Sequence, residues 1–269
     1  MNHPTSKRRS SKPPTAALSE KEAQEAMVVD WAANKRSVTV MAPYLVATRS
    51  RRNKEAQKCK SLDMFINYPA LTIPQLLLSE FSEMDDVKIA VSVMRRNWLE
   101  KLPLITKYIR EHSIYNIGDN FSVEQQTVMV LENIHRLHLF QKRTKPNNNE
   151  LEVRACRVLE IFPENTPLAE AKPSLRDPLR ISGIGAALGK CSFFAYCDTE
   201  PIFNSEDPIE ALLLLLATYW VFHLTFRTPN KMPILFLSAC ILGPIKIKSY
   251  VSRNEKFLDF CRDQFHMTV

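Results

Sequence analysis

The sequence predicts an α+β chain, predominantly α-helical, with a small two- or three-stranded hairpin element packed on a long apolar helix in the C-terminal third. Three observations predict it. Helix-start signals recur through residues 19–162, each followed by apolar residues at three- and four-residue spacing. Two short apolar runs with aromatic and glycine content, Leu179 to Ile184 and Cys191 to Tyr196, read as strands, and Ile202-Phe203 adds a third. The stretch DPIEALLLLLATYWVFHLTF then carries no formal charge from Ala211 to Phe226.

That last stretch predicts the core helix over 208–226. Asp207 can accept hydrogen bonds from first-turn amides, Pro208 suits the first helical position, and Glu210 stands at capping-box spacing. Thr228-Pro229 is the expected stop. Apolar residues on every face mean burial all round, in a protein core or in lipid. A spanning helix needs about 20 apolar residues. Ala211–Phe226 offers 16, and Met232–Ile245 offers 14 broken at Gly243-Pro244, so a core helix is favoured over a membrane anchor formed by 211–226 and 232–245.

In chain order, residues 1–17 are rich in Ser, Lys, Arg and Pro, with almost nothing to bury, and predict a disordered basic tail. Residues 18–60 read as a basic helical or extended arm: a helix from Ser19 to Lys35 opened by a Ser19/Glu22 capping box, then a β-leaning Ser37 to Ala47 interrupted by Pro43. Residues 61–162 read as helix after helix. Leu62 to Tyr68 ends at Pro69, Pro74 opens Gln75 to Met84, and Asp85 to Ser113 is expected to kink or break at Pro103. A Ser122/Gln125 box opens a helix to about Phe140, residues 144–149 form a loop, and Glu150 to Phe162 forms one more short helix. Residues 163–178 are a Pro-rich connector, and 179–269 a small α+β region that closes with helices near 231–242 and from Arg253 to Phe265.

Charge is lopsided. The net charge is +7, but residues 1–60 hold 13 Lys/Arg against 5 Asp/Glu, giving +8, and the remainder holds 23 against 24, giving −1. Arg49, Arg51, Arg52, Lys54, Lys58 and Lys60, opposed only by Glu55, are the candidate nucleic-acid-binding residues, since clustered cations release counterions from phosphates. No aromatic residue is interleaved among them for base stacking, so a solvated helix face is the favoured reading. At most weak, non-specific nucleic-acid binding through residues 1–60 is expected. The opening MNHPTSKRRSSKPP lacks the apolar segment of an export signal, which predicts an intracellular chain, cytoplasmic or nuclear, with its six scattered cysteines reduced and mostly buried.

Catalytic patterns fail one by one. GIGAALGK, Gly183 to Lys190, lacks P-loop spacing: Gly185 to Gly189 is one residue short, Gly183 to Gly189 one too long, and Cys191 stands where a hydroxyl belongs. Leu188 replaces the third glycine of a dinucleotide motif, so a hairpin or loop is expected. Glu132, His135 and His138 lie at i, i+3 and i+6, but no second Glu-x-x-His pair exists to complete a metal site, and both histidines read as helix-surface residues. His223 reads as a satisfied core histidine. No catalytic residue, cofactor or metal is assigned.

TRSRRNKEA, FINYPALTIPQLLLSEFSEM, FFAYCDTEPIFNSEDPIEALLLLLATYWVFHLTF and FLSACILG, in that order across residues 45–245, resemble segments of an animal multigene family. That family includes the portion of sterile alpha motif domain-containing protein 3 that follows its SAM domain. The resemblance implies a soluble, mainly helical α+β module and supplies no catalytic residues to carry over. The expected function is a non-enzymatic interaction or regulatory module acting on an unknown protein partner. Nucleic-acid association through the basic arm and membrane anchoring stand as the alternatives.

Overall fold

The computed structural model describes residues 18–56, 58, 61–112, 114–118, 120–137, 140, 157–173, 179–186, 188–197, 200–226, 230–251 and 255–267. The tail 1–17, Lys60, His138, the loop 144–149 and most of the helix expected from Glu150 lie outside these residues. The fold is mixed α+β and mostly helical, with a four-stranded sheet. One connected hydrophobic core runs from Ala23 to Met267.

The first helix, α1 (Glu20–Ala32), starts on the expected capping box, with the Ser19 amide donating to Glu22 Oε2 at 2.9 Å. It packs against α2 (Val38–Ala56), which occupies the segment read as β-leaning. Met41, Tyr44, Leu45, Thr48, Arg52 and Ala56 bury one face of α2 at helical spacing, and this burial overrides the β-propensity of its Val and Thr residues. Tyr44 also donates to Asp30 Oδ2 at 2.7 Å, tying the two helices together. Residues 20–56 therefore belong to the core and do not form an appended arm.

Next come α3 (Ser61–Asn67), a 3-10 turn (Pro69–Thr72) and α4 (Pro74–Glu83). The helix α5 (Val91–Glu111) begins later than expected, because Lys88 adopts a left-handed conformation at φ 46°, and it continues through Pro103. Ser122 and Gln125 cap α6 (Val123–Asn133), which passes into a 3-10 turn at Ile134–Arg136. Residues 159–162 are strand β1 (Leu159–Phe162) and not helix. A four-residue apolar run is ambiguous by itself, and parallel pairing with residues 181–184 decides it.

A short helix α7 (Leu168–Ala171) leads to β2 (Ile181–Gly185), β3 (Cys191–Cys197) and β4 (Glu200–Ser205). The sheet order is β1-β2-β3-β4, with the last two pairings antiparallel. The sheet thus has four strands, one more than the largest number expected.

The apolar helix α8 (Pro208–Val221) packs on α4, α5 and α6 and also on β2, β3 and β4, which accounts for its burial on all faces. It is 14 residues long and stops well before Thr228-Pro229. His223 sits at φ 46°, the Leu224 amide donates to the Tyr219 carbonyl at 2.9 Å, and the His223 amide to the Trp220 carbonyl at 3.2 Å, a Schellman closure. His223 is consequently exposed and outside the helix, and is not a core histidine. The chain ends with α9 (Lys231–Leu242), α10 (Pro244–Val251) and α11 (Glu255–Phe265). Among the described residues, no helix is long and apolar enough to cross a membrane. Cys191, Cys240 and Cys261 are buried free thiols.

Candidate functional site

GIGAALGK forms the turn of the β2–β3 hairpin. Gly185 pairs with Cys191 at φ 142°, where a Cβ would stand 2.2 Å from the Lys190 carbonyl oxygen, so only glycine fits. The Ala186 amide donates to Lys190 O and the Gly189 amide to Ala186 O. These amides are used inside the turn, and the strand–turn–strand context is not the strand–loop–helix of a phosphate cradle.

The hairpin instead forms one wall of a cleft of about 570 Å3. Ser122 begins α6 opposite it, and Gln125 there serves two partners: its Oε1 accepts from the Ser122 amide at 3.0 Å, while its Nε2 donates to the Leu188 carbonyl at 2.6 Å. The apolar lining includes Val128, Leu168, Ile184, Phe193, Phe194 and Pro208. Three carboxylates, Glu124, Glu164 and Glu206, line the same cleft against one cation, Lys190. Leu168 is 46% exposed, and Leu188 and Val123, beside the lining residues Gly189 and Glu124, are 45% and 41% exposed. Apolar surface thus spreads beyond the hollow. Cys191 borders it too, and burial pushes its thiol up to about 11, which favours the protonated form at neutral pH.

The candidate basic residues have other employment. Arg52 is only 3% exposed: its Nη1 donates to Leu45 O at 2.5 Å and Thr48 Oγ1 at 2.6 Å, and its Nη2 meets Glu80. Burial lowers its pKa, with Glu80 opposing that effect. Arg49 grips the same Glu80 through Nη2 at 2.8 Å and Nε at 3.2 Å, a hydrogen bond that raises its pKa. Arg51 donates to Glu55 Oε1 at 2.6 Å, and Tyr68 holds the other oxygen at 2.7 Å. Arg52 is therefore withdrawn from the nucleic-acid set, because a buried guanidinium cannot reach a phosphate. Lys54 and Lys58 are exposed.

His135 is also a correction. It is buried, 7% exposed, and neither ring nitrogen closes a hydrogen bond of good geometry among the described residues, although the Glu132 carbonyl lies beside it. Burial, aided by the Arg136 and Arg157 charges, pulls its pKa down to about 4. Glu132 is raised by burial, with Arg157 opposing. Glu160 joins this cluster from β1, with Arg180 Nη2 at 2.8 Å and Arg157 Nη1 at 3.5 Å. These groups lie where α6 packs against the edge strand β1. Among the described residues, no three acidic, histidine or cysteine side chains group to hold a metal ion.

Sequence reasoning reached the hairpin but not the cleft. Glu124, Glu164 and Glu206 are far apart in the chain, and no local pattern signals their convergence. Comparison with protein-family models, curated proteins and solved structures returned no match.

Proposed function

We propose that the chain is a non-enzymatic intracellular interaction or regulatory module whose docking face is the cleft between the β2–β3 hairpin and the start of α6. The observation that carries this reading is the combination of an apolar lining with three exposed apolar side chains, Val123, Leu168 and Leu188, around it. Apolar surface rimmed by polar groups marks partner sites, and this patch extends past the hollow in a way that suits a macromolecule better than an enclosed small ligand. The protonated Cys191 and the internally bonded turn amides favour binding over chemistry.

The test is a comparison of stoichiometric partners recovered with tagged protein from cells. Leu168→Asp combined with Leu188→Asp is expected to lose partners that the wild type retains. A control change at a still more exposed apolar residue on α2, Val46→Asp, is expected to keep them. Identical partner sets for all three proteins would overturn the cleft as the docking face.

A further inference from the structure

Resting on the docking reading above, we infer that the cleft recognises a cationic amphipathic segment of another protein, with Lys or Arg side chains set against Glu124, Glu164 and Glu206 and apolar side chains against Leu168, Ile184 and Phe193.

The electrostatics select the sign. Three carboxylates and one ammonium line the cleft. None of the three glutamates makes an ion pair or side-chain hydrogen bond among the described residues, a state shared with Glu20, Glu132, Glu170 and Glu255, but only these three converge on one cleft. Local helix chemistry explains part of the placement. Glu124 lies in the first turn of α6, and Glu206 directly precedes the Asp207 cap of α8, positions that favour acids. Glu164 lies in the loop between β1 and α7 and has no such reason to be there. The result is unpaired negative charge beside exposed apolar surface. Phosphate-bearing partners are repelled, and a cation brings each of these exposed carboxylates a counter-charge.

The apolar part fixes the second requirement. A purely basic chain would leave Leu168 and Leu188 uncovered, while a segment carrying aliphatic side chains beside its cations buries them. Leu188 is held in place by the Gln125 bond to its carbonyl, so this wall is preorganised.

The experiment uses the full chain and three fluorescein-labelled 12-residue peptides of the same Leu content, one with Lys, one with Ser and one with Glu at the polar positions, read by fluorescence anisotropy at several salt concentrations. The Lys/Leu peptide is expected to bind at least ten times more tightly than the Ser/Leu peptide, with no detectable binding of the Glu/Leu peptide. The triple variant Glu124→Gln, Glu164→Gln, Glu206→Gln, checked for an unchanged melt, is expected to lose that tenfold preference, and the uncharged change Leu168→Ser to weaken the Lys/Leu and Ser/Leu peptides alike. Equal binding of the Lys/Leu and Ser/Leu peptides, sensitive to Leu168→Ser, would overturn the cationic partner and leave the docking face standing. No binding of any peptide would overturn both. A tenfold gain for the Lys/Leu peptide on deleting residues 1–17 would assign the cleft to the chain's own basic segment and overturn a partner in trans.

Discussion

The Gln125 side chain and the Leu188 carbonyl, 63 residues apart in sequence, meet at 2.6 Å and join the first turn of α6 to the tip of the β2–β3 hairpin. The same amide caps its own helix through Ser122. Gln125→Glu keeps a capping acceptor at this position but replaces the donor to Leu188 with a repelling oxygen. Global stability is expected to stay within about 0.5 kcal/mol, while amide exchange at Leu188–Lys190 speeds up several-fold. Unchanged exchange in the hairpin would show that this bond does not hold the cleft wall.

Arg52 and Arg49 converge on Glu80 inside the helical layer. Removing the carboxylate leaves two cations facing each other, one of them buried, so Glu80→Ala is expected to cost about 3–5 kcal/mol in denaturant unfolding. Arg52→Met combined with Glu80→Met should cost less than Glu80→Ala alone, since no uncompensated buried charge remains. A double variant as damaged as the sum of its single changes would show that the pair is not coupled.

Stability should depend on pH through His135. Its imidazole ionises at about 4 in the fold, against about 6.5 in an unfolded chain. Between these values the unfolded chain binds a proton that the folded chain does not, so the fold loses stability as pH falls from 6.5 towards 4. Glu132, raised by burial, works in the opposite sense, so the comparison is made with His135→Leu. The stability of wild type relative to that variant should fall by about 2–3 kcal/mol between pH 7 and pH 4. A difference that is flat with pH would mean that His135 titrates normally.

Two left-handed positions should respond in opposite directions. At His223, φ 46° strains an exposed, non-glycine residue, and His223→Gly is expected to stabilise by up to about 1 kcal/mol. At Gly185 the collision with Lys190 leaves no room, and Gly185→Ala is expected to cost at least about 2 kcal/mol. Thermal melts of the two variants decide this, and a stabilising Gly185→Ala would contradict the hairpin geometry.

With Arg49, Arg51 and Arg52 paired internally, polyanion binding should rest on Lys54, Lys58, Lys60 and the four basic residues within 1–17. Weak binding to duplex DNA that fades between about 50 and 200 mM salt is expected. Deleting residues 1–17 should remove most of it without unfolding the protein, whereas deleting 1–60 would strip Met27, Met41 and Leu45 from the core. Tight binding surviving physiological salt after the 1–17 deletion would point to a nucleic-acid face elsewhere.

What the sequence determined by itself was whatever depends on atoms a few residues apart. The Ser19/Glu22 and Ser122/Gln125 boxes form as spaced, because cap and partner lie on one turn. The third such signal is instructive: Asp207 caps α8 through the Ile209 amide at 2.8 Å, but Glu210 turns to Ser205 Oγ at 2.6 Å, and Asp207 itself takes Arg95 of α5 at 2.5 Å. Tertiary structure decided the rest. Val38 to Ala47 is helical because its buried face finds α1, and residues 159–162 extend because residues 181–184 offer a ladder. Arg52 leaves the surface because Glu80, 28 residues on, supplies the counter-charge that makes its burial tolerable. The cleft exists only where α6, the hairpin and the start of α8 meet, since side chains distant in sequence acquire a common field only when packing brings them within a few ångströms.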